Sequence, residues 1–438
     1  MKQFPRSIVW VVLCVVLVSL SYSAYYHDRP RVDAAAYDKI GWNLTRGFGY
    51  IEDEANALSP EKDWGINRLG PGYEFFLAFL YGIFGHHYWV VYIFHALLRG
   101  ASVLIVYRVA ALLFPSMPSV WFWAAVLFGF SPDLIVVNGM LLTETLFLFL
   151  FLCSFYFILR TFSNGGLKDA GVAGLFFALA ILTRPTALLV LVATALIFLW
   201  KQRVRLAVAL VITPLIFVGS WSLFATIRYD RFILTTGVGA YDIWVGNHLG
   251  ASGGFEKASD IQVARNSIGS KELDAVSRQK YFEFLTQHPF AFLELQIRKT
   301  ALYFSLVRPG GFWIGLWDYP IQLFFTLMYS FIWTAILFIL GIAGALMLFK
   351  ERRDLKMRFM LTSALLQPIS VIPIIVETRY RYSLFPLLAL FGAYFLVRRP
   401  IIFKYVFIAG MAILIATAYD TIFNYADIVG KIDVFLFP

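Results

Sequence analysis

Seven charged residues stand inside apolar runs or in the turns between them: Asp33, Arg68, Glu144, Arg184, Glu377, Arg379 and Arg381. An arginine at the centre of a membrane helix costs roughly 3 kcal/mol on insertion scales, so a charge kept in such a setting marks a functional site by default. The residue types divide by chemistry. A carboxylate such as Asp33 can take a proton from a hydroxyl as a general base. The planar fork of arginine binds phosphate oxygens in pairs, which suits Arg68, Arg184, Arg379 and Arg381 to hold a phosphate at a membrane surface. Arg184 precedes Pro185, which breaks the helical ladder and sets the side chain at a helix break facing a cavity. Glu144 opens an apolar run, where an acid either meets the positive end of the helix dipole or binds substrate beside a basic partner. Arg379, Tyr380 and Arg381 form either an aromatic belt with flanking cations or a phosphate cradle. Asp33 also has an ordinary reading, as the N-cap of a short amphipathic helix.

These residues need a scaffold, and composition names its class. The chain of 438 residues is 60% hydrophobic and 15% charged, against about 45–50% and 25% for soluble domains. Apolar runs of roughly 20 residues recur along it, each long enough to cross a hydrocarbon core of about 30 Å. The expectation is an all-α multi-pass membrane protein, one polytopic domain over residues 1–438 with about 11 crossings. The spans are expected near 7–25, 88–112, 119–137, 141–159, 170–183, 186–200, 206–226, 320–349, 359–376, 383–397 and 403–420. The first run is read as a retained helix rather than a cleaved signal. Gly72–Phe84 is too short to span and is read as interfacial. Strand alternation is not evident. Cys14 and Cys153 both fall in apolar runs and suggest neither a disulfide nor a metal site.

Charge then gives orientation. Lys2/Arg6, Arg160/Lys168, Lys201/Arg203/Arg205, Lys350–Arg358 and Arg398/Arg399/Lys404 all fall in loops on one side of these spans. The positive-inside rule makes that side cytoplasmic, so the net charge of +10 reports topology and not nucleic acid. The two long loops, 26–71 and 227–318, then lie outside with all seven suspicious charges. In the first loop, Asp33 leads a helix of about three turns with Tyr37, Ile40 and Leu44 on one side and Gly47 as its stop. In the second, the glycine-rich stretch around Asn247 and His248 reads as a tight loop for a polar ligand. His288-Pro289 restarts a helix with proline in its first turn. Asn43-Leu-Thr45 matches a glycosylation acceptor, and His86-His87 is a weak metal signal.

Taken in order, these pieces resemble the polytopic glycosyltransferases of the GT-C fold, in particular bacterial relatives of protein O-mannosyltransferases and lipid A aminoarabinose transferases. The residues that carry the resemblance are Asp33-Ala with Tyr37 and Gly47-Phe-Gly-Tyr50, then Arg68-Leu-Gly-Pro-Gly-Tyr73. Leu142-Thr-Glu-Thr-Leu146, Leu182-Thr-Arg-Pro-Thr186, Gly246-Asn-His248, His288-Pro289 and Arg379-Tyr-Arg381 follow. The resemblance implies inverting transfer of a sugar from a polyprenyl-phosphate-linked donor to a lipid, glycan or protein of the cell envelope. The enzyme would sit in a bacterial inner membrane with its active site facing outward, amid membrane lipids and without nucleic acid. Asp33 would be the base, and Arg68, Arg184, Arg379 and Arg381 would hold the donor phosphate. Tyr37, Glu144, Asn247, His248 and Tyr380 would contact substrate. Some members carry an acidic residue before the basic one of the second motif, associated with a divalent metal; Asn67 stands there, which speaks against a required cofactor. The competing reading is a transporter or flippase of a lipid-linked glycan, whose polar site belongs near the midplane rather than at one surface.

Overall fold

The structure, a computed structural model, describes residues 5–26, 29–59, 62–255, 258–267, 269–307, 320–398, 403–425 and 429. Lys2, Arg399 and parts of both long loops, including 308–318, lie outside the described residues. Among those described there is no strand. The α-helices in chain order are α1 (Arg6–Tyr26), α2 (Asp33–Thr45), α3 (Gly72–Phe84), α4 (Tyr88–Leu113), α5 (Pro118–Gly129), α6 (Pro132–Asn138), α7 (Glu144–Asn164), α8 (Leu167–Thr183) and α9 (Ala187–Trp200). They continue with α10 (Val204–Tyr229), α11 (Gly239–Gly246), α12 (Ser259–Ser267), α13 (Ser270–Gln287), α14 (Pro289–Phe304), α15 (Pro320–Glu351), α16 (Leu355–Val371), α17 (Phe385–Arg398) and α18 (Phe403–Phe423).

Each of the eleven expected spans is a helix or a bent pair of helices, but the count of crossings is smaller on length. Seven described helices, with α17 taken together with the 3-10 turn that leads into it (Thr378–Arg398), are long and apolar enough to cross a membrane, and α5 with α6, bent by 55° at their break, makes an eighth if it counts as one span. The other three, α8, α9 and α16, have 17, 14 and 17 residues. At about 1.5 Å per residue each is shorter than a 30 Å core. The break at Arg184-Pro185 accounts for where α8 ends and α9 begins. The chain is a multi-pass helical membrane protein. Its first helix packs against α4, α5 and α6, with Val12 and Val16 over Gly100 and Val15 over Gly129.

The direction of each helix sorts the chain's charges to two ends. α7 begins at Glu144 and runs toward Arg160; α8 returns from Lys168 to Arg184; α9 leaves again toward Lys201. The basic loop before α16 meets the far end of α4, with Arg352 and Lys356 donating to the carbonyls of Leu113 and Leu112. Glu144 and Arg184 are therefore at the end of the bundle opposite the basic loops.

The two long loops cover that end. α2 and α3 pack on each other, and α3 rests on α8. The seat for α3 is made by glycines. A Cβ at Gly70 would overlap the Leu182 carbonyl, and one at Gly72 would stand 2.7 Å from Thr183 Oγ1. The Gly-Pro-Gly turn thus lays Arg68 against the segment that ends in Arg184. Gly47 takes φ +82° just past α2, a conformation easy for glycine. In the same region Asn43 is buried with its amide donated to Ile51 O at 3.1 Å, so the apparent glycosylation acceptor is part of the core. His86 likewise belongs to a structural cluster: Tyr81, His86 and Tyr88 all meet Asp38, at 2.7, 2.7 and 2.8 Å.

Close backbone contact at Gly70 makes a prediction. Gly70→Ala should lower the thermal unfolding midpoint of the purified protein by several degrees. Gly82→Ala, whose methyl would meet only Thr45 Cγ2 at 4.0 Å, should leave it unchanged or raise it, since alanine is favoured over glycine in a helix by about 0.5–1 kcal/mol. Equal midpoints for both variants would contradict the seating of Gly70 on α8.

Candidate active site

Asp33 is the first residue of α2 and not its cap. Val32 precedes the helix at φ 50°, ψ −115°, and no side-chain cap bond forms. That backbone is unfavourable for a β-branched residue, by about 1–3 kcal/mol. The N-cap expectation fails because two arginines draw the carboxylate away from the helix end. Arg68 Nη1 lies 3.3 Å from Oδ1, and Arg379 Nη2 donates to Oδ2.

Both arginines are gripped from behind. Arg68 is forked onto Glu52, with Nε 3.0 Å from Oε2 and Nη2 2.9 and 2.8 Å from Oε1 and Oε2. Arg379 Nε is 3.9 Å from Glu144 Oε1, and Arg184 Nη1 is 2.8 Å from the same oxygen. Glu52, Arg68, Asp33, Arg379, Glu144 and Arg184 thus form one line of charges that alternates in sign. Glu144 and Arg184 are nearly sealed from solvent, at 1% and 7% exposure. The Arg184 guanidinium also sits 5.2 Å over the Tyr380 ring, and that of Arg379 lies 5.7 Å from it, both within cation–π range.

Two cavities meet at this line. One of about 510 Å³ is the more polar and is lined by Asp33, Tyr37, Trp64, Arg68, Asp242, Glu377, Arg379 and Tyr380 among others. The second, of about 270 Å³, is mostly apolar, with Phe147, Leu148, Val371, Ile374 and Ile375 around Glu144 and Arg184. Leu69, Val238, Asp242, Arg379 and Tyr380 line both. A ligand with one polar and one greasy part would bend around the Arg379–Tyr380 wall.

Burial would raise the pKa of Asp33. The charge of Arg379 and its hydrogen bond, with the charges of Arg68 and Arg184, outweigh burial and hold the carboxyl below its ordinary 3.8. Asp33 is therefore an ionised, tightly held carboxylate over the whole neutral range.

Among the residues expected at the site, Asp33, Tyr37, Arg68, Glu144, Arg184, Arg379 and Tyr380 are brought together around the two cavities. Tyr37 is buried with its ring edge-on to Tyr73 at 5.6 Å. Arg381, Asn247 and His248 line neither cavity. Arg381 is buried and donates to the Ser305 carbonyl at 2.7 Å. Asn247 donates to the carbonyls of Ile243, Pro373 and Ile374 and accepts from Gln296 and Lys299. His248 Nδ1 is 3.3 Å from Trp244 O. Glu52 and Asp242 were not expected. Glu52 sits in a run with Asp53 and Glu54 that reads as a solvated loop, and no local pattern sets it apart.

The donor set does not fit a metal. Among the described residues no three His, Cys, Asp or Glu side chains are grouped so as to hold one. Asn67, at the position where some relatives carry an acid, accepts from Arg231 Nη2 at 2.7 Å.

Residues 69–227 match the family model for dolichyl-phosphate-mannose-protein mannosyltransferase. No curated protein matches the chain. Among solved structures, the oligosaccharyltransferase of Archaeoglobus fulgidus in its apo form is similar over 97% of this chain and 56% of that one, at 14% identity and a TM-score of 0.54. The same enzyme in complex with Zn and sulfate gives 95% and 53%, 16% identity and 0.53. ArnT from Cupriavidus metallidurans bound to undecaprenyl phosphate aligns over 89% of this chain and 77% of its own, at 16% identity, but with a TM-score of only 0.39. The chain spans a little over half the length of the oligosaccharyltransferase structures. The chain has the GT-C fold of polytopic membrane glycosyltransferases, and its residues 69–227 carry the sequence pattern of the mannosyltransferase family model.

Proposed function

We propose that the protein transfers a hexose or pentose from a polyprenyl-phosphate-linked donor to a hydroxyl of a cell-envelope lipid, glycan or protein. The observation that carries this reading is the carboxylate of Asp33 flanked by Arg68 and Arg379 on the wall of a polar cavity, with Arg379 shared by an apolar one. The dolichyl phosphate named by the family model supports a lipid phosphate as carrier. The positive-inside argument supports an outward-facing site in a bacterial inner membrane, since the basic loops lie at the opposite end of the bundle.

In this reading the first prenyl units occupy the apolar cavity and the sugar enters the polar one. The donor phosphate sits at their junction, against Arg379 and Arg184 with Arg68 nearby. The bond from the anomeric carbon to the phosphate oxygen breaks while the acceptor oxygen bonds that carbon from the opposite face. The acceptor proton passes to Asp33, and the electron pair leaves with the phosphate. Fixed guanidinium groups in a water-poor cleft stabilise that growing charge more strongly than water does. The configuration at the anomeric carbon inverts. The phosphate also competes with Asp33 for Arg379, and a carboxylate relieved of one arginine is a better base.

Two measurements test the roles. Asp33→Asn should cut sugar transfer by about 10²–10⁴-fold while donor affinity stays within a few fold. Near-normal turnover by well-folded variant would remove Asp33 as the base. The second uses pH. The limb of kcat/KM that reports the free enzyme's Asp33 should lie below the ordinary 3.8. In Arg379→Ala, burial is left with less opposition, so the limb should move up. The same pairing stabilises the fold above the ordinary carboxylate pKa, and that contribution is lost as pH falls through the lowered one. A limb that does not move in Arg379→Ala would uncouple the two residues.

A further inference from the structure

The polar cavity holds more positive charge than the donor phosphate uses. Five arginines line it, Arg29, Arg31, Arg68, Arg265 and Arg379, against three carboxylates, Asp33, Asp242 and Glu377. Arg68 and Arg379 are engaged by Asp33, Glu52 and Glu144. Among the described residues, Arg29, Arg31 and Arg265 form no ion pair. Glu377 Oε1 already accepts from Phe255 N at 2.9 Å. Arg265 is oriented: its guanidinium lies 4.7 Å over the Trp64 ring, and Trp64 meets Tyr241 edge-on at 5.9 Å. These three arginines line the polar cavity and not the apolar one, so the Arg379–Tyr380 wall separates them from the place a lipid tail would enter.

We propose that the acceptor is a sugar bearing an oxyanion, a phosphate or a carboxylate, which Arg29, Arg31 and Arg265 hold at the mouth of the polar cavity while its hydroxyl reaches Asp33. This deepens the lipid-linked transfer reading and rests on it. Arginine suits the task because its fork matches both oxyanions bidentately and is desolvated more easily than an ammonium. Trp64 and Tyr241 line the same cavity and hold the Arg265 guanidinium in place. The cavity volume falls within the range of about 300–1,000 Å³ usual for small-ligand sites.

The test uses the full-length protein in phosphatidylcholine nanodiscs, with methyl glucoside 6-phosphate, methyl glucuronide, methyl glucoside and inorganic phosphate as calorimetric probes. At least one anionic glycoside should bind ten times or more tightly than methyl glucoside, and which one does so identifies the oxyanion. Arg29→Gln/Arg31→Gln/Arg265→Gln should lose that preference, and the corresponding triple lysine variant should recover part of it. If the triple glutamine variant does not elute as folded protein, Arg265→Gln alone should weaken the anionic glycoside at least threefold. Equal binding of charged and uncharged glycosides, or an unaltered preference in the variants, overturns the proposal. Inorganic phosphate binding as tightly as the glycoside phosphate also overturns it, by showing a free-anion site. So does loss of glycoside binding when the donor is saturating, which would place the probe in the donor's own phosphate site. Hydrolysis of the polyprenyl-phosphate sugar by the wild-type protein is followed separately. Its absence would sink the lipid-linked reading whether or not the anion preference is found.

Discussion

Six charges at the end of the bundle away from the basic loops are each held by an opposite one, and the rest of the site depends on that constraint. Glu52, Arg68, Asp33, Arg379, Glu144 and Arg184 come from separate segments yet share a single line of contacts. A buried ion whose partner is removed typically costs 3–5 kcal/mol. Glu144 is shared by two arginines, so its loss would uncover both. The line runs along helix ends: α7 starts at Glu144, α8 ends just before Arg184, and α2 starts at Asp33.

A line of paired charges is only as well placed as the backbones beneath it. Two devices fix them here. Gly70 and Gly72 let the Arg68 segment lie directly on the end of α8. On the other side, Asn247 gathers α11, α14 and the segment before Arg379 into one knot. Lys299, whose amine burial pulls down to about 7, donates to Asn247 Oδ1 at 2.7 Å and to Ile374 O at 3.0 Å. Gly246 packs its backbone against the Ile374 carbonyl, and Gly253 O accepts from Val376 N. Asn247 and Gly246 thus support the arginine turn and do not touch the cavities.

That division shows what could be read from the sequence. Charge in an apolar setting pointed to Asp33, Arg68, Glu144, Arg184 and Arg379, because the cost of burial is written in composition. The same signal picked out Arg381, which meets that cost by donating to the Ser305 carbonyl instead. Distance along the chain hid Glu52 and Arg265: both sit in polar loops where a charge is cheap, and only folding brings them to the site. Three of the eleven expected crossings fall short on length for a similar reason. Hydropathy registers apolar content, whereas Pro185 and the loops cut α8, α9 and α16 to 17 residues or fewer.

The pairing that makes the site stable would also make Asp33, as the proposed base, a weak one. Asp33 with two arginines on it holds its proton affinity down, and proton transfer is most efficient when the base is matched to the working pH. A site that kept both arginines on Asp33 throughout would gain little from it. In the proposed reaction a donor phosphate would change the balance, since it would offer Arg379 and Arg184 another anion at the junction of the two cavities. As the sugar–phosphate bond broke, that anion would gain charge and draw the guanidinium groups further from Asp33 just as the acceptor proton had to be taken up. The arginines would then couple the two halves of the reaction, strengthening the base in step with the leaving group. Without donor the carboxylate would stay locked, which would also limit its action on a bound acceptor alone.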